Sequence, residues 1–296
     1  MVDRWKKRLA FGLALLASGC STAPGNVPAE APRPALWKVA DADTTIYLFG
    51  TIHMLPEGVK WRSPALDEAI KASDGLVIET LIGDDPMASA GTMMKLGLSK
   101  GLPPLVERVP ADKRPQLEAL IKSAGVPAGS LDGMETWAAG LTLLAVSFQK
   151  MGFDPALGVE VKLAGDYKGK KIEGLETVEQ QFGFFDGLSE DAQRQFLVGI
   201  LDTPAAGKAE FEKMLSAWSK GDVAQIAKTF DSETALSPEL REVLMKKRNA
   251  AWSQWLAKRL ETPGTVMVAV GAGHLAGRDS VQAMLKARGL KATRVQ

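Results

Sequence analysis

The chain has a single cysteine and only two histidines among its 296 residues, and these scarcities limit its chemistry. One cysteine excludes an intramolecular disulfide framework. Two hydrolase classes are disfavoured, because the chain has neither HExxH nor a GxSxG with a plausible histidine partner. The composition is otherwise ordinary, with 46% hydrophobic and 24% charged residues, so a sizeable core can form.

Neither sign of charge dominates the sequence. The 36 basic and 35 acidic residues give a formal net charge of +1. Removing residues 1–19, which hold four basic residues and one acidic residue, leaves 32 basic and 34 acidic ones. This balance gives no electrostatic footprint for nucleic acid, so no nucleic-acid partner is predicted. The apolar run 137–148 lies between Glu135 and Lys150, which favours a buried core helix over a membrane span.

The N-terminal segment predicts targeting to a bacterial envelope. Four basic residues at positions 4–8 precede a short apolar run and then Ala17-Ser18-Gly19-Cys20. This resembles a lipoprotein cleavage site, although Ala17 stands where leucine is usual. The resemblance implies that Cys20 becomes a lipidated N-terminus, and Ser21 after it favours the outer membrane, facing the periplasm. The alternative is an ordinary secretory signal with an incidental cysteine.

Three regions follow from this interpretation. Residues 1–19 are the predicted signal peptide. Residues 20–34 are rich in proline and alanine without apolar periodicity, which predicts an extended tether. Residues 35–296 are the predicted folded domain. The membrane is therefore a predicted partner, reached through the N-terminal lipid.

Both histidines lie in the same local pattern. The apolar run 44–49 is followed by Gly50 and then His53, and the run 265–270 is followed by Gly271 and then His274. Short apolar runs rich in β-branched residues predict buried strands of a parallel sheet. Ligands bind at the carboxyl edge of such sheets. We therefore expect both imidazoles at one edge.

A third apolar run, residues 75–78, ends in the carboxylate Glu79. Two imidazoles and one carboxylate form a metal-ligand set with open positions. Each residue alone has a simpler explanation, a local hydrogen bond for either histidine and a helix cap for Glu79. The occurrence of a good ligand at three strand ends favours the metal site.

These motifs resemble the TraB/GumN family, which is related to the Tiki metalloproteases. The resemblance runs from Leu36 nearly to the C-terminus and includes residues 158–160, 174–181 and 248–249. It implies a metal site formed by His53, Glu79 and His274. It also implies supporting catalytic roles for Glu160, Arg248 and Asn249.

Four of the polar residues have structural alternatives. Glu160 and Glu176 each stand near a predicted helix start, where a carboxylate interacts favourably with the helix dipole. For Glu176 this explanation is slightly the stronger one. Arg248 and Asn249 follow two lysines, which is typical of a solvated basic face.

The order of patterns predicts an α/β fold, with a mixed sheet that has parallel core strands and a largely helical insertion. The family resemblance implies that this fold is TraB/Tiki-like. A hairpin, 36–40 and 44–49, leads through a helix at Ser63-Pro64 to the strand ending at Glu79, which suits parallel pairing of the second and third strands. Residues 86–150 and 189–260 are predicted helical, with a strand at 170–175 between them. The last strands are predicted at 265–270 and 291–295.

The predicted function is a metal-dependent hydrolase that acts on a peptide or other acyl bond. Imidazole and carboxylate ligands accept Zn, Mn, Co or Fe, and the Tiki resemblance favours Mn or Co. Glu160 would shuttle a proton, Arg248 would hold the substrate or developing oxyanion, and Asn249 would orient Arg248. The alternatives are a non-catalytic periplasmic lipoprotein that binds haem through His53 or His274, and one that binds a partner through the tryptophan-bearing helix near residue 252.

Overall fold

A computed structural model describes residues 31–81, 86–201, 204–231 and 237–296. The predicted signal peptide, Cys20 and most of the predicted tether lie outside these ranges. Within the described residues, no helix has the length and apolar character needed to cross a bilayer.

A mixed sheet of six strands organises the described domain. The strands are β1 Leu36–Ala40, β2 Thr44–Thr51, β3 Gly75–Thr80, β4 Lys171–Glu176, β5 Gly264–Gly271 and β6 Thr293–Arg294. They lie in the order β4-β3-β5-β2-β1-β6. The first four strands in this order are parallel, and β1 and β6 extend the sheet with antiparallel pairing. The predicted mixed sheet with parallel core strands is confirmed.

The predicted direct pairing of the second and third strands is wrong, because β5 lies between them. Val268 of β5 packs into the core on one face of the sheet and Met267 into the core on the other. A strand that buries both faces belongs at the sheet centre. This insertion brings the ends of β2, β5 and β3 side by side at the carboxyl edge.

Helices cover both faces of the sheet. Helices α1, α5 and α8 pack on one face and α11 and α12 on the other. A separate apolar cluster joins α3, α4 and α7 within the predicted helical insertion. The helices are α1 Pro64–Ala72, α2 Pro86–Gly97, α3 Arg114–Ala124, α4 Thr136–Lys150, α5 Val159–Asp166, α6 Val178–Asp186, α7 Glu190–Leu201, α8 Pro204–Ser219, α9 Val223–Asp231, α10 Pro238–Arg241, α11 Arg248–Arg259 and α12 Val281–Ala287.

The predicted helix start at Ser63 agrees with its capping contact, and two further helices begin at capping residues. The hydroxyls of Ser63 and Ser237 each accept a hydrogen bond from a backbone N–H in the first turn of α1 and α10. Thr177 and Gln180 form a reciprocal capping box at α6. Within the predicted helical stretch 189–260, α8 ends at Ser219 because Gly221 adopts φ 67°, a left-handed conformation that stops a helix.

Two other predictions need adjustment. The predicted helical stretch 86–150 is interrupted before α4, which begins at Thr136. The closing strand β6 is limited to Thr293–Arg294, because only these residues pair with β1.

Candidate functional site

The carboxyl ends of the four parallel strands carry the polar residues that the sequence singled out. His53 follows β2, Glu79 and Glu176 end β3 and β4, and His274 follows β5 in a short 3₁₀ turn, Ala272–Leu275. Strand order therefore gathers residues that are up to 221 positions apart in the chain.

His53 is fixed by a carboxylate from α5. Its Nδ1 lies 2.6 Å from Oε1 of Glu160, and the same oxygen accepts a hydrogen bond from the hydroxyl of Thr51. Helix α5 can approach this closely because of Gly158, where a Cβ would collide with the carbonyl oxygen of His53. Since a carboxylate only accepts, Nδ1 carries the proton and the second nitrogen, Nε2, faces the site.

His274 is fixed by an amide from α11. Its Nδ1 lies 2.6 Å from Oδ1 of Asn249, whose Nδ2 donates to the Asp279 carbonyl at 2.8 Å. The amide oxygen is thus the acceptor, and His274 also bears its proton on Nδ1. A π-helical turn, Glu242–Lys247, directly precedes α11, and such turns are frequent at functional sites.

Glu79 lies between the two imidazoles. Its Oε1 accepts the Gly271 N–H at 2.7 Å and is 3.8 Å from Nε2 of His274. Its Oε2 accepts from Nη2 of Arg248 at 2.7 Å. The carboxylate is 7% exposed, so it depends on these partners in place of water.

Arg248 bridges two carboxylates. Beside its bond to Glu79, it donates to Glu176 through Nε at 2.9 and 3.1 Å and through Nη2 at 2.8 Å. Nε1 of Trp252 donates to Glu176 at 2.9 Å, and the guanidinium lies over the Trp252 ring, 4.7 Å from its centroid. Arg248 and Asn249 are buried, so the expected alternative of a solvated basic face is wrong.

The two histidines differ in their protonation. The negative charge of Glu160 raises the pKa of His53 to about 9. Burial lowers the pKa of His274 to about 3. Burial would also raise the pKa of Glu79, but its neighbours His274, His53 and Arg248 and the N–H of Gly271 lower it to about 2. At neutral pH the metal-free site therefore holds a protonated His53, a neutral His274 and an ionised Glu79.

Gly271 leaves an open space between two candidate ligand atoms. A Cβ on this residue would lie 3.1 Å from Oε1 of Glu79 and 3.2 Å from Nε2 of His53. Across the described ranges, no three His, Cys, Asp or Glu side chains are grouped closely enough to hold a metal ion as they stand. The guanidinium of Arg248 occupies the space beside Glu79 and His274.

The structure brings together all six of the residues expected at the site within the described domain. Glu160 contacts His53, Arg248 contacts Glu79, and Asn249 contacts His274 rather than Arg248. For Glu176 the sequence slightly favours a helix-dipole role. Its position at the end of a parallel strand is the feature that indicates its place in the site. Trp252, 2% exposed, faces this network and is not part of a free surface.

Comparisons with known proteins agree on one family. The model of the TraB/PrgY/gumN family matches residues 35–294. The chain is 25% identical to the uncharacterized protein YbaP of Escherichia coli (strain K12) over 257 residues, 86% of this chain and 92% of that one. It is 26% identical to YbaP of Shigella flexneri, covering 81% of this chain and 87% of that one. An uncharacterized protein of Treponema pallidum (strain Nichols) is 19% identical, over 86% of this chain and 80% of its own length. No solved structure matches the chain.

Proposed function

The chain belongs to the TraB/PrgY/gumN family, and from this premise we propose that it is a metal-dependent hydrolase of peptide or other acyl bonds. His53, Glu79 and His274 are the proposed ligands of one divalent ion, Mn, Co or Zn. Glu160, Arg248 and Asn249 assist them.

The observation that carries this proposal is the matched orientation of the two imidazoles. Each histidine presents Nδ1 to an acceptor, Glu160 for His53 and Asn249 for His274. Metal-binding histidines are typically fixed in this way by a hydrogen bond from the other ring nitrogen, which leaves one nitrogen free to ligate. The open space at Gly271, between Nε2 of His53 and Oε1 of Glu79, supports the same assignment.

The residues around these ligands have distinct proposed roles. A bound divalent ion supplies a water molecule of lowered pKa and polarises a carbonyl group. Glu160 holds the proton on His53 and is the proposed acceptor of a proton from the attacking water. Asn249 keeps His274 in the tautomer with Nε2 free. Arg248 places positive charge beside Glu79, where it stabilises negative charge that develops on a substrate oxygen.

Metal content tests the proposal most directly. The full-length chain is purified, incubated separately with Mn²⁺, Co²⁺ and Zn²⁺, desalted and measured by inductively coupled plasma mass spectrometry. We expect near-stoichiometric metal, lost in His53→Ala, Glu79→Gln and His274→Ala variants that retain the wild-type circular dichroism spectrum. Absence of metal under every condition from folded protein would overturn the proposal, and a haem absorption band would then favour the haem-binding alternative.

We also propose that the mature protein is anchored to the bacterial envelope through lipid on Cys20, in the outer membrane facing the periplasm. The support is the cleavage-site pattern Ala17-Ser18-Gly19-Cys20 and the tether that follows it. Labelling of cells with radioactive palmitate tests it. We expect label in the wild-type protein and none in a Cys20→Ser variant, and equal labelling of both would refute the anchor.

A further inference from the structure

We propose that Glu176 is a positioning residue for the metal site: it retains the Arg248 guanidinium when a divalent ion takes Nε2 of His274. The inference rests on the proposed metal site and names a residue that the site needs beyond its ligands and their direct partners. It follows from where the guanidinium lies in this structure.

Arg248 directly contacts the nitrogen of His274 that an ion would use. Its Nη1 lies 3.3 Å from Nε2 of His274, and its Nη2 donates to Oε2 of Glu79 at 2.7 Å, which leaves Oε1 of Glu79 beside the open space at Gly271. A guanidinium N–H and a divalent ion cannot share the single lone pair of an imidazole nitrogen. An ion therefore binds His274 only if Arg248 gives up this contact.

Glu176 provides the place to which Arg248 withdraws. The guanidinium already makes three hydrogen bonds to Glu176 and one to Glu79. Trp252 donates to Glu176 and also lies against the guanidinium, so the carboxylate and its partner are both held. When the contact with His274 is released, Arg248 keeps a bidentate carboxylate partner, which is the strong form of this interaction.

The charges in the site support the same role for Glu176. Glu79, Glu160 and Glu176 contribute three negative charges, and Arg248 contributes one positive charge. When the ion takes the place of the second proton on His53, both imidazoles are neutral, and the excess negative charge matches that of a divalent ion. Without Glu176, Arg248 would have Glu79 as its only carboxylate partner among these contacts, and no other carboxylate would hold the guanidinium away from Nε2 of His274.

Mn²⁺ affinity, measured by isothermal titration calorimetry on the full-length chain, tests the proposal. Glu176→Gln removes the charge, and Glu176→Asp keeps the charge but shortens its reach to Arg248. We expect both variants to bind Mn²⁺ at least tenfold more weakly than wild type. Glu173→Gln is the control, because Glu173 lies on the same strand, is half exposed and pairs with Lys171 at 2.8 Å. We expect its affinity to stay within threefold of wild type.

An Arg248→Met background separates action through Arg248 from a direct effect of charge. If Glu176 works by retaining the guanidinium, Glu176→Gln lowers affinity less than threefold when Arg248 is already absent. An equal loss in both backgrounds, or wild-type affinity in both Glu176 variants, would overturn the positioning role while the metal site stands. Failure of the wild-type protein to bind Mn²⁺, Co²⁺ or Zn²⁺ is a different result, which removes the proposed function and this inference together.

Discussion

Replacing Gly271 with alanine adds one methyl group to the space between two proposed ligands. Gly271 has φ −49° and ψ 135°, a conformation that alanine adopts without strain. The new Cβ lies 3.1 Å from Oε1 of Glu79 and 3.2 Å from Nε2 of His53, closer than an ordinary contact. Both atoms are at the ends of side chains, so they move aside and the backbone stays in place.

The expected loss of metal affinity is large compared with the loss of stability. Zinc lies about 2.0–2.2 Å from its nitrogen and oxygen ligands, so a methyl group in contact with both atoms competes for the same space. Disturbing a single supporting contact of a metal ligand typically weakens binding about 10–100-fold. Because two ligands are displaced here, we expect about 100-fold, or ~2.8 kcal/mol. The free energy of unfolding should change by less than about 1 kcal/mol.

Gly50, at the same place in the other GxxH motif, offers a matched control. A Cβ on Gly50 meets Cα of Ala272 at 3.1 Å and its Cβ at 3.3 Å, and it touches neither proposed ligand. Backbone atoms cannot move aside, so Gly50→Ala should lower the melting temperature and leave the metal affinity of the folded protein close to wild type. Calorimetric titration with Mn²⁺ and thermal melting of the metal-free proteins distinguish the two variants. Wild-type affinity in a folded Gly271→Ala protein, or equal losses of affinity in both variants, would refute the reasoning.

Other contacts make independent predictions. Glu160→Gln should return the pKa of His53 from about 9 towards its ordinary value of 6.5, measured by NMR titration of the ring protons, and an unchanged pKa would contradict the ion pair. In the metal-free protein, the contribution of His53 to stability is full below pH 6.5 and is lost as the pH rises to about 9. His53→Gln should therefore make the melting temperature depend less on pH over that range. His274, with its pKa lowered to about 3, should destabilise the fold as the pH falls from 6.5 towards 3, because the unfolded chain takes up the proton first. Asn249→Ala should weaken Mn²⁺ binding about 10–100-fold, and binding equal to wild type in calorimetry would argue against its role in orienting the imidazole. Arg108→Met should lower the free energy of unfolding in urea by about 3 kcal/mol or more, because three carbonyl groups lose a buried donor; a change under 1 kcal/mol would show that these bonds contribute little.

The sequence alone determined the three strand ends and the candidate ligand at each of them. A run such as Thr44–Phe49 is local, and its apolar, β-branched character specifies a buried strand wherever that strand lies in the sheet. Gly50 and His53 follow at a fixed spacing, so the position of the imidazole beyond the strand end is equally local. The helix start at Ser63 was predictable for the same reason, because a cap depends on only the next three residues.

Only the tertiary structure decided which strands are neighbours and which polar groups meet. Insertion of β5 between β2 and β3 depends on how two cores pack on opposite faces of the sheet, and no local pattern specifies that order. The pairing of Arg248 with Glu176 joins residues 72 positions apart and depends on the packing of α11 against the sheet edge. A lone carboxylate at a helix start and an arginine after two lysines are both ordinary on a surface. In the folded protein both groups are buried, and charged groups that are removed from water are stable only when they are paired.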